Sequence, residues 1–308
     1  MEEDSWILVK RREVLWMRAR MVEAIRRFFI QQNYLEIETP NRIPALIPEA
    51  HIDAVACDGG FLHPSPELCM KRLLAAGFDK IFQICKCYRK GERGAYHLPE
   101  FTMLEWYRQD IDYVAMMMEC EELIKSVASA MGAGNAIVYG GQEICLKGSW
   151  ERLSVREAFD LYAPVPLERA LADDDFEEIM VCDIEPNLGR KCPTFLYDYP
   201  VSLGALARSK KDDPALAERF EFYMGGIELA NAFSELIDVH EQTLRFREVQ
   251  KYRASMGKSI YPVSERFLDA FDTMPASAGI ALGVDRLAML FSDSSVIDDV
   301  VAFTPELL

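Results

Sequence analysis

The sequence predicts an α+β fold, an antiparallel β-sheet flanked by helices, and three observations carry that reading. Lys80 to Tyr88 is an apolar run that returns at Phe101 to Tyr107, and Phe220 to Met224 is another that returns at Ile227 to Leu236. Hairpins of this kind build an antiparallel layer rather than a doubly wound parallel sheet. Helical periodicity flanks them, and Gly279 to Phe291 reads as a strand running into a helix.

Taken in order, Val14, Leu15, Met21, Val22, Ile25, Phe28 and Phe29 fall at three-and-four spacing, which predicts an amphipathic helix from about Arg12 to Asn33. Leu35 and Ile37 then alternate with Glu36 and Glu38 until Thr39-Pro40 ends a short strand, since proline cannot donate to a ladder. KIFQICKCY, from Lys80, reads as a buried strand, and residues 90–99 as a polar loop with two glycines. Residues 111–131 read as helical, and Ser154 with Glu157 forms a capping box for a helix through Tyr162. The stretch from about 110 to 215 carries helices but no chemical motif. It is expected to be a helical support or insertion region within a single domain of residues 1–308. Gly225-Gly226 turns the second hairpin.

Half of the 308 residues are hydrophobic, enough for a large core. A formal net charge of -16 leaves no broad basic surface to neutralise phosphates, which weighs against tRNA as a partner. The start, Met1-Glu-Glu-Asp, does not read as a signal peptide, and no apolar run reaches the roughly 18 residues that span a bilayer. A cytoplasmic location with no membrane partner is expected. The eight cysteines include no CxxC pair and read as structural thiols, and Cys85 and Cys87, on one face of a strand, are by themselves a weak metal signal.

Three constellations could carry chemistry. Arg89 stands before the loop with His97 and Phe101 beyond it, a phosphate-binding guanidinium and an aromatic face for a purine. Gly279-Ile-Ala-Leu-Gly-Val-Asp-Arg286 lets backbone approach a ligand where Arg286 opens a helix. Glu221, Glu228 and Glu235 recur every seven residues in an apolar segment. If the turn centres on Met224 and Gly225, Glu221 and Glu228 stand opposite each other and could hold Mg²⁺ together, while Glu235 needs a bulge or bend to join them. Each alone has an ordinary reading: a surface arginine and a core phenylalanine, a tight strand-to-helix turn, a hairpin with a charged outer face.

Together and in this order they resemble the class II aminoacyl-tRNA synthetases, over nearly the whole chain. FFIQQNYLEIETP (Phe28 to Pro40) resembles the first class motif, FQICKCYRKGERGAYHLPEFTMLEWY (Phe82 to Tyr107) the second and GIALGVDRLAML (Gly279 to Leu290) the third. SPELCMKRLL from Ser65, PEFTMLEWY from Pro99 and GGIELANAFSEL from Gly225 are similar to lysyl-tRNA synthetase segments. The resemblance implies ATP-dependent formation of an aminoacyl-adenylate. In it Arg89 grips the α-phosphate and the substrate carboxylate, Phe101 stacks on adenine and Arg286 binds the γ-phosphate end. Glu92, Leu229 and Gly283 complete the ATP site, and Glu221 and Glu228 hold Mg²⁺. Glu67 accepts the substrate's backbone amino group, Asn231 binds its carboxylate, Glu235 and Tyr107 recognise a distal ammonium, and Ser65 and Ala281 line the same pocket. The first motif implies a homodimer.

Two departures from lysyl-tRNA synthetases stand out. The first motif begins after fewer than 30 residues, so no anticodon-binding domain is expected ahead of it, and Ala281 stands where glycine is usual. Both resemble the elongation factor P lysine ligase family, which activates (R)-β-lysine and attaches it to a lysine of elongation factor P. Gly91 replaces that family's usual motif-two glutamate, with Glu92 beside it, and Leu98 replaces an asparagine. A truncated synthetase-like ligase using tRNA or a small acceptor, and a noncatalytic amino-acid-sensing paralogue, are the alternatives. Retention of Arg89, Arg286, Glu221 and Glu228 argues for catalysis.

Overall fold

The computed structural model describes residues 2–204 and 206–308. The helix expected near the start spans Arg12–Gln31 and turns Met21, Ile25, Phe28 and Phe29 inward. Strand β1 (Leu35–Glu36) follows, and β2 (Lys80–Tyr88) and β3 (Glu100–Gln109) form the first hairpin. Next come β4 (Glu151–Ser154) and β5 (Thr194–Pro200). The second hairpin is β6 (Leu216–Met224) and β7 (Ile227–Ser234), and β8 (Ser277–Gly283) runs into the helix Val284–Ser292. They form one sheet in the order β1-β2-β3-β8-β7-β6-β5-β4. The pairings are antiparallel except at the two edges, where β1 runs parallel to β2 and β4 parallel to β5.

The stretch read as a helical support region does hold the helices Tyr113–Ala130 and Val155–Tyr162, the latter with both halves of its capping box. It also supplies β4 and β5, the far edge of the sheet. In β4 only Leu153 is apolar, so no alternation announced it.

Side-chain alternation decides which face of the sheet does chemistry. Leu104, Trp106, Phe220, Phe222, Ile280 and Leu282 point one way and share a core with Phe28, Phe29, Met116, Leu123, Leu287 and Leu290 of the helices. Burying each such side chain stabilises the fold by about 1.5–3 kcal/mol, which fixes this face as the inner one. The intervening residues, Met103, Glu105 and Tyr107 of β3 and Gly279 and Ala281 of β8, therefore line the opposite face. Among the described residues no helix is long and apolar enough to cross a membrane.

The second hairpin corrects one expectation. Gly225 (φ +64°) and Gly226 (φ +77°) occupy the left-handed region and form the turn, so Met224 pairs with Ile227. A register shift between Phe222 and Tyr223 then sets Glu221 opposite Asn231 and Glu228 opposite Tyr223. Glu221 and Glu228 are not direct cross-strand partners.

Candidate active site

Two adjoining cavities open on the polar face. The outer one, about 290 Å³, is lined by Arg89, Glu92, His97, Phe101, Leu229 and Arg286, with Glu228 and Gly283 at its edge. The inner one, about 160 Å³, is lined by Ser65, Glu67, Glu105, Tyr107 and Gly279 among others. Arg89, Met103, Asn231 and Ala281 line both, so the two cavities meet where the second and third sequence motifs converge.

In the outer cavity the Arg89 guanidinium lies 5.1 Å from the centre of the Phe101 ring, with Glu92 3.7 Å away. Glu92 thus supplies a carboxylate beside Arg89, one residue beyond Gly91, whose φ of +78° suits glycine. Leu98 is buried in the core. Arg286 donates to the Glu228 carbonyl at 2.7 Å and carboxylate at 3.2 Å, and to the Tyr96 carbonyl at 3.3 Å. Its remaining arm reaches His97 Nε2 at 2.7 Å. Burial and the adjacent Arg286 charge hold the His97 pKa below its ordinary value, so the neutral ring accepts this bond.

Two further carboxylates, Glu221 and Glu185, stand near Glu228 outside the cavity lining. Glu221 accepts from the Tyr199 and Tyr223 hydroxyls at 2.6 Å each, from Arg219 at 2.7 Å and from Asn231 at 3.4 Å, contacts it would give up in part to take a metal ion. Burial first, and then the Glu221 charge, push the Glu228 carboxyl up, with Arg286 opposing. Burial, Glu228 and Glu221 also push Glu185 up to about 7, while Tyr223 donates to it at 3.3 Å. A half-buried oxygen-only set under mutual repulsion is what a hard divalent cation relieves. Glu185 was missed because it lies between helical turns, in the stretch that showed no motif.

The inner cavity is arranged differently from the sequence expectation. Lys71 Nζ, one turn along the helix from Glu67, lies 2.5 Å from Glu67 Oε1 and 2.6 Å from Glu235 Oε2. Burial lowers the Lys71 pKa, but Glu235 and Glu67 outweigh it and raise it overall. Glu235 accordingly does not join Glu221 and Glu228. Burial drives its carboxyl up to about 8, with Glu67 adding to the rise and Lys71 opposing it. Tyr107 donates to Glu105 Oε1 at 2.6 Å rather than to Glu235. Burial and Glu67 hold the Glu105 carboxyl well above its usual range. Glu105 Oε2 and Glu235 Oε1 are buried with no hydrogen-bond partner among the described residues. Glu67 and Glu235 thus share one ammonium while Glu105 has only a hydroxyl donor, which leaves acceptors for further cations.

Gly279, read from the sequence as allowing close approach, gains a specific role, and Arg253 went unnoticed. A Cβ on Gly279 would lie 2.2 Å from the Tyr107 ring and 2.8 Å from Glu235 Oε1, so only glycine lets both reach the pocket. Arg253, fully buried, donates to the carbonyls of Glu49, Ala50, Ile52 and Ser259 and to Asp53, and so shapes the segment that brings Ile52 and Glu49 to the cavities. The i, i+4 spacing of Glu67 and Lys71 was a usable signal. Arg253 offered none, since it sits in a polar helix far along the chain.

Comparison with known proteins agrees with this geometry. The family model of class II tRNA synthetases (D, K and N) matches residues 7–306. The elongation factor P–(R)-β-lysine ligase of Pectobacterium atrosepticum is 37% identical over an alignment of 326 positions, covering 99% of both chains. The ligases of the same name from Proteus mirabilis and Salmonella typhi are 39% and 38% identical, covering 94% of both chains in each case. The chain therefore belongs to the class II tRNA synthetases of the D, K and N type and, among them, to the elongation factor P–(R)-β-lysine ligase family.

Proposed function

We propose that this protein activates (R)-β-lysine, or lysine, with ATP and transfers it to a lysine ε-amino group of elongation factor P. The observation that carries the reading is the surplus of buried carboxylate in the inner cavity. Glu67 and Glu235 share the Lys71 ammonium and Glu105 has only the Tyr107 hydroxyl, which suits a ligand with two ammonium groups. Asn231 and Arg89, at the junction of the cavities, suit that ligand's carboxylate. The acceptor comes from the relatives' shared name.

In this mechanism the ligand's carboxylate oxygen attacks the α-phosphorus of ATP, the bond to the bridging oxygen breaks, and pyrophosphate leaves. Arg89 neutralises charge on the α-phosphate, Phe101 stacks on adenine, and Arg286 takes the γ-phosphate end in exchange for its contacts with Glu228 and His97. Glu185, Glu221 and Glu228 would hold Mg²⁺, which when bound offsets polyphosphate charge. The acceptor amine then attacks the adenylate's carbonyl carbon, forms an amide and expels AMP. No side-chain nucleophile is needed, since positioning and charge neutralisation supply the rate. Exposed Ile30 and Leu35 in the first motif support a homodimer, and eight unpaired thiols suit a reducing compartment such as the cytoplasm.

The test offers labelled (R)-β-lysine and α-lysine with ATP, and elongation factor P and bulk tRNA as parallel acceptors. Label on the protein acceptor alone is expected. Arg89→Ala should lower adenylate formation by at least about a hundredfold, as losing a charge-stabilising donor does. Label on tRNA, or activity retained in that variant, would overturn the acceptor or the role of Arg89 respectively.

A further inference from the structure

Beneath the inner cavity lies a group of soft donors that the reaction above does not use. His63, Cys85 and Cys87 each present one ligand atom, and these atoms all lie within 4.8 Å of one another. The two Sγ atoms are 3.9 Å apart, and the Met103 thioether lies 3.9 Å from Cys87 Sγ. Ligands on a tetrahedral cation at zinc–sulfur distance are separated by about 3.8 Å, so the sulfurs already stand close to that spacing. Cys87 is fully buried and His63 nearly so, while Cys85 is half-buried and leaves a way in.

The histidine carries the second observation. Its Nε2 lies 2.7 Å from the Lys86 carbonyl oxygen, to which it can only donate. That places the proton on Nε2 and leaves Nδ1 unprotonated, the ring's acceptor for a thiol or a cation. Metal-binding histidines are held in this way, one nitrogen donating to a carbonyl while the other takes the cation.

We propose that His63, Cys85 and Cys87, with the Met103 sulfur beside them, bind a thiophilic d¹⁰ cation, Zn²⁺ or Cu⁺. Two thiolates, an imidazole and a thioether favour such ions over Mg²⁺ or Ca²⁺. His63 directly precedes Pro64-Ser65-Pro66-Glu67, whereas both cysteines belong to the strand that ends at Arg89. The cation therefore clamps the segment bearing Ser65 and Glu67 to the strand leading to Arg89.

The test uses the full-length protein, reduced and freed of metal with a chelator, and offered Co²⁺, Zn²⁺ and Cu⁺ separately. Co²⁺ should give a thiolate charge-transfer band with tetrahedral visible bands, and Zn²⁺ or Cu⁺ should remain stoichiometric after desalting. Which of the two competes better against a chelator identifies the ion. Cys85→Ser and His63→Gln should each weaken binding by more than about tenfold. Cys145→Ser, which alters an exposed thiol elsewhere, should leave it unchanged. Circular dichroism checks that each variant is folded. The absence of a charge-transfer band and of retained metal in the folded wild-type protein would overturn the proposal, as would equal loss in Cys145→Ser.

Discussion

At the scale of single residues, the inner cavity is governed by a mismatch between anions and cations. With its pKa raised to about 8, chiefly by burial, Glu235 holds its proton more tightly than a free carboxyl does. An added ammonium favours the ionised form and lowers that pKa, so binding must expel a proton. The sign follows: affinity for a diammonium ligand should rise as pH increases from 6 towards 8 and level off above. Titration calorimetry at pH 7 in buffers of differing ionisation enthalpy should record proton release, and proton uptake would contradict this assignment. Gly279 works through shape. In Gly279→Ala the new methyl must displace Tyr107 or Glu235, an overpacking cost of about 1–3 kcal/mol, so KM for the amino acid should rise about tenfold with less change in KM for ATP. Equal change in both constants would point to general disruption. Arg89, Glu67 and Arg286 were legible because their segments follow a recognisable order. Lys71 stood in one of those segments and was passed over, because a buried lysine between carboxylates reads from sequence as an ordinary helix pair.

At the scale of elements, what positions the site is a set of ties between segments far apart in the chain. Asp285, buried at the start of the last long helix, accepts from Arg18 of the long N-terminal helix at 2.5 Å and from the Thr102 backbone at 2.6 Å. The loop between β2 and β3 is held in turn by Arg93, which bridges Asp298 and Glu306, and by the Ile297 amide donating to the Ala95 carbonyl. Arg253 does the same for the segment around Asp53. Its loss would leave several carbonyls without their donor, a cost of about 2–4 kcal/mol. Arg253→Met should therefore lower the urea midpoint and raise KM for both substrates, because Ile52 lines both cavities. A stable variant with unchanged KM would show that this segment holds itself. Both hairpins and the strand-to-helix unit could be read from periodicity, which is a local property. The β6–β7 register could not, since the shift between Phe222 and Tyr223 depends on packing across the sheet rather than on the turn residues. The edge pair β4 and β5 also escaped, β4 being short and laddered to a strand distant in the chain.

At the scale of the whole molecule, the sheet separates an apolar layer, which the long helices cover, from a polar layer where charge collects. The fold class followed from that division, because alternating strands and amphipathic helices state it directly in the sequence. The choice of acceptor depends on a different global property. With a formal net charge of -16, the protein faces a polyanion with long-range repulsion, and any affinity for tRNA has to come from a local basic patch strong enough to overcome it. A folded protein acceptor needs only its lysine and the surface around it to be complementary. Excess bulk tRNA at physiological salt should therefore neither take up label nor slow transfer to elongation factor P. Lowering the salt should not bring inhibition on, because weaker screening strengthens net repulsion as well as any patch attraction. Inhibition that deepens as salt falls would reveal a basic patch that dominates the overall charge, and would move the acceptor assignment back towards tRNA.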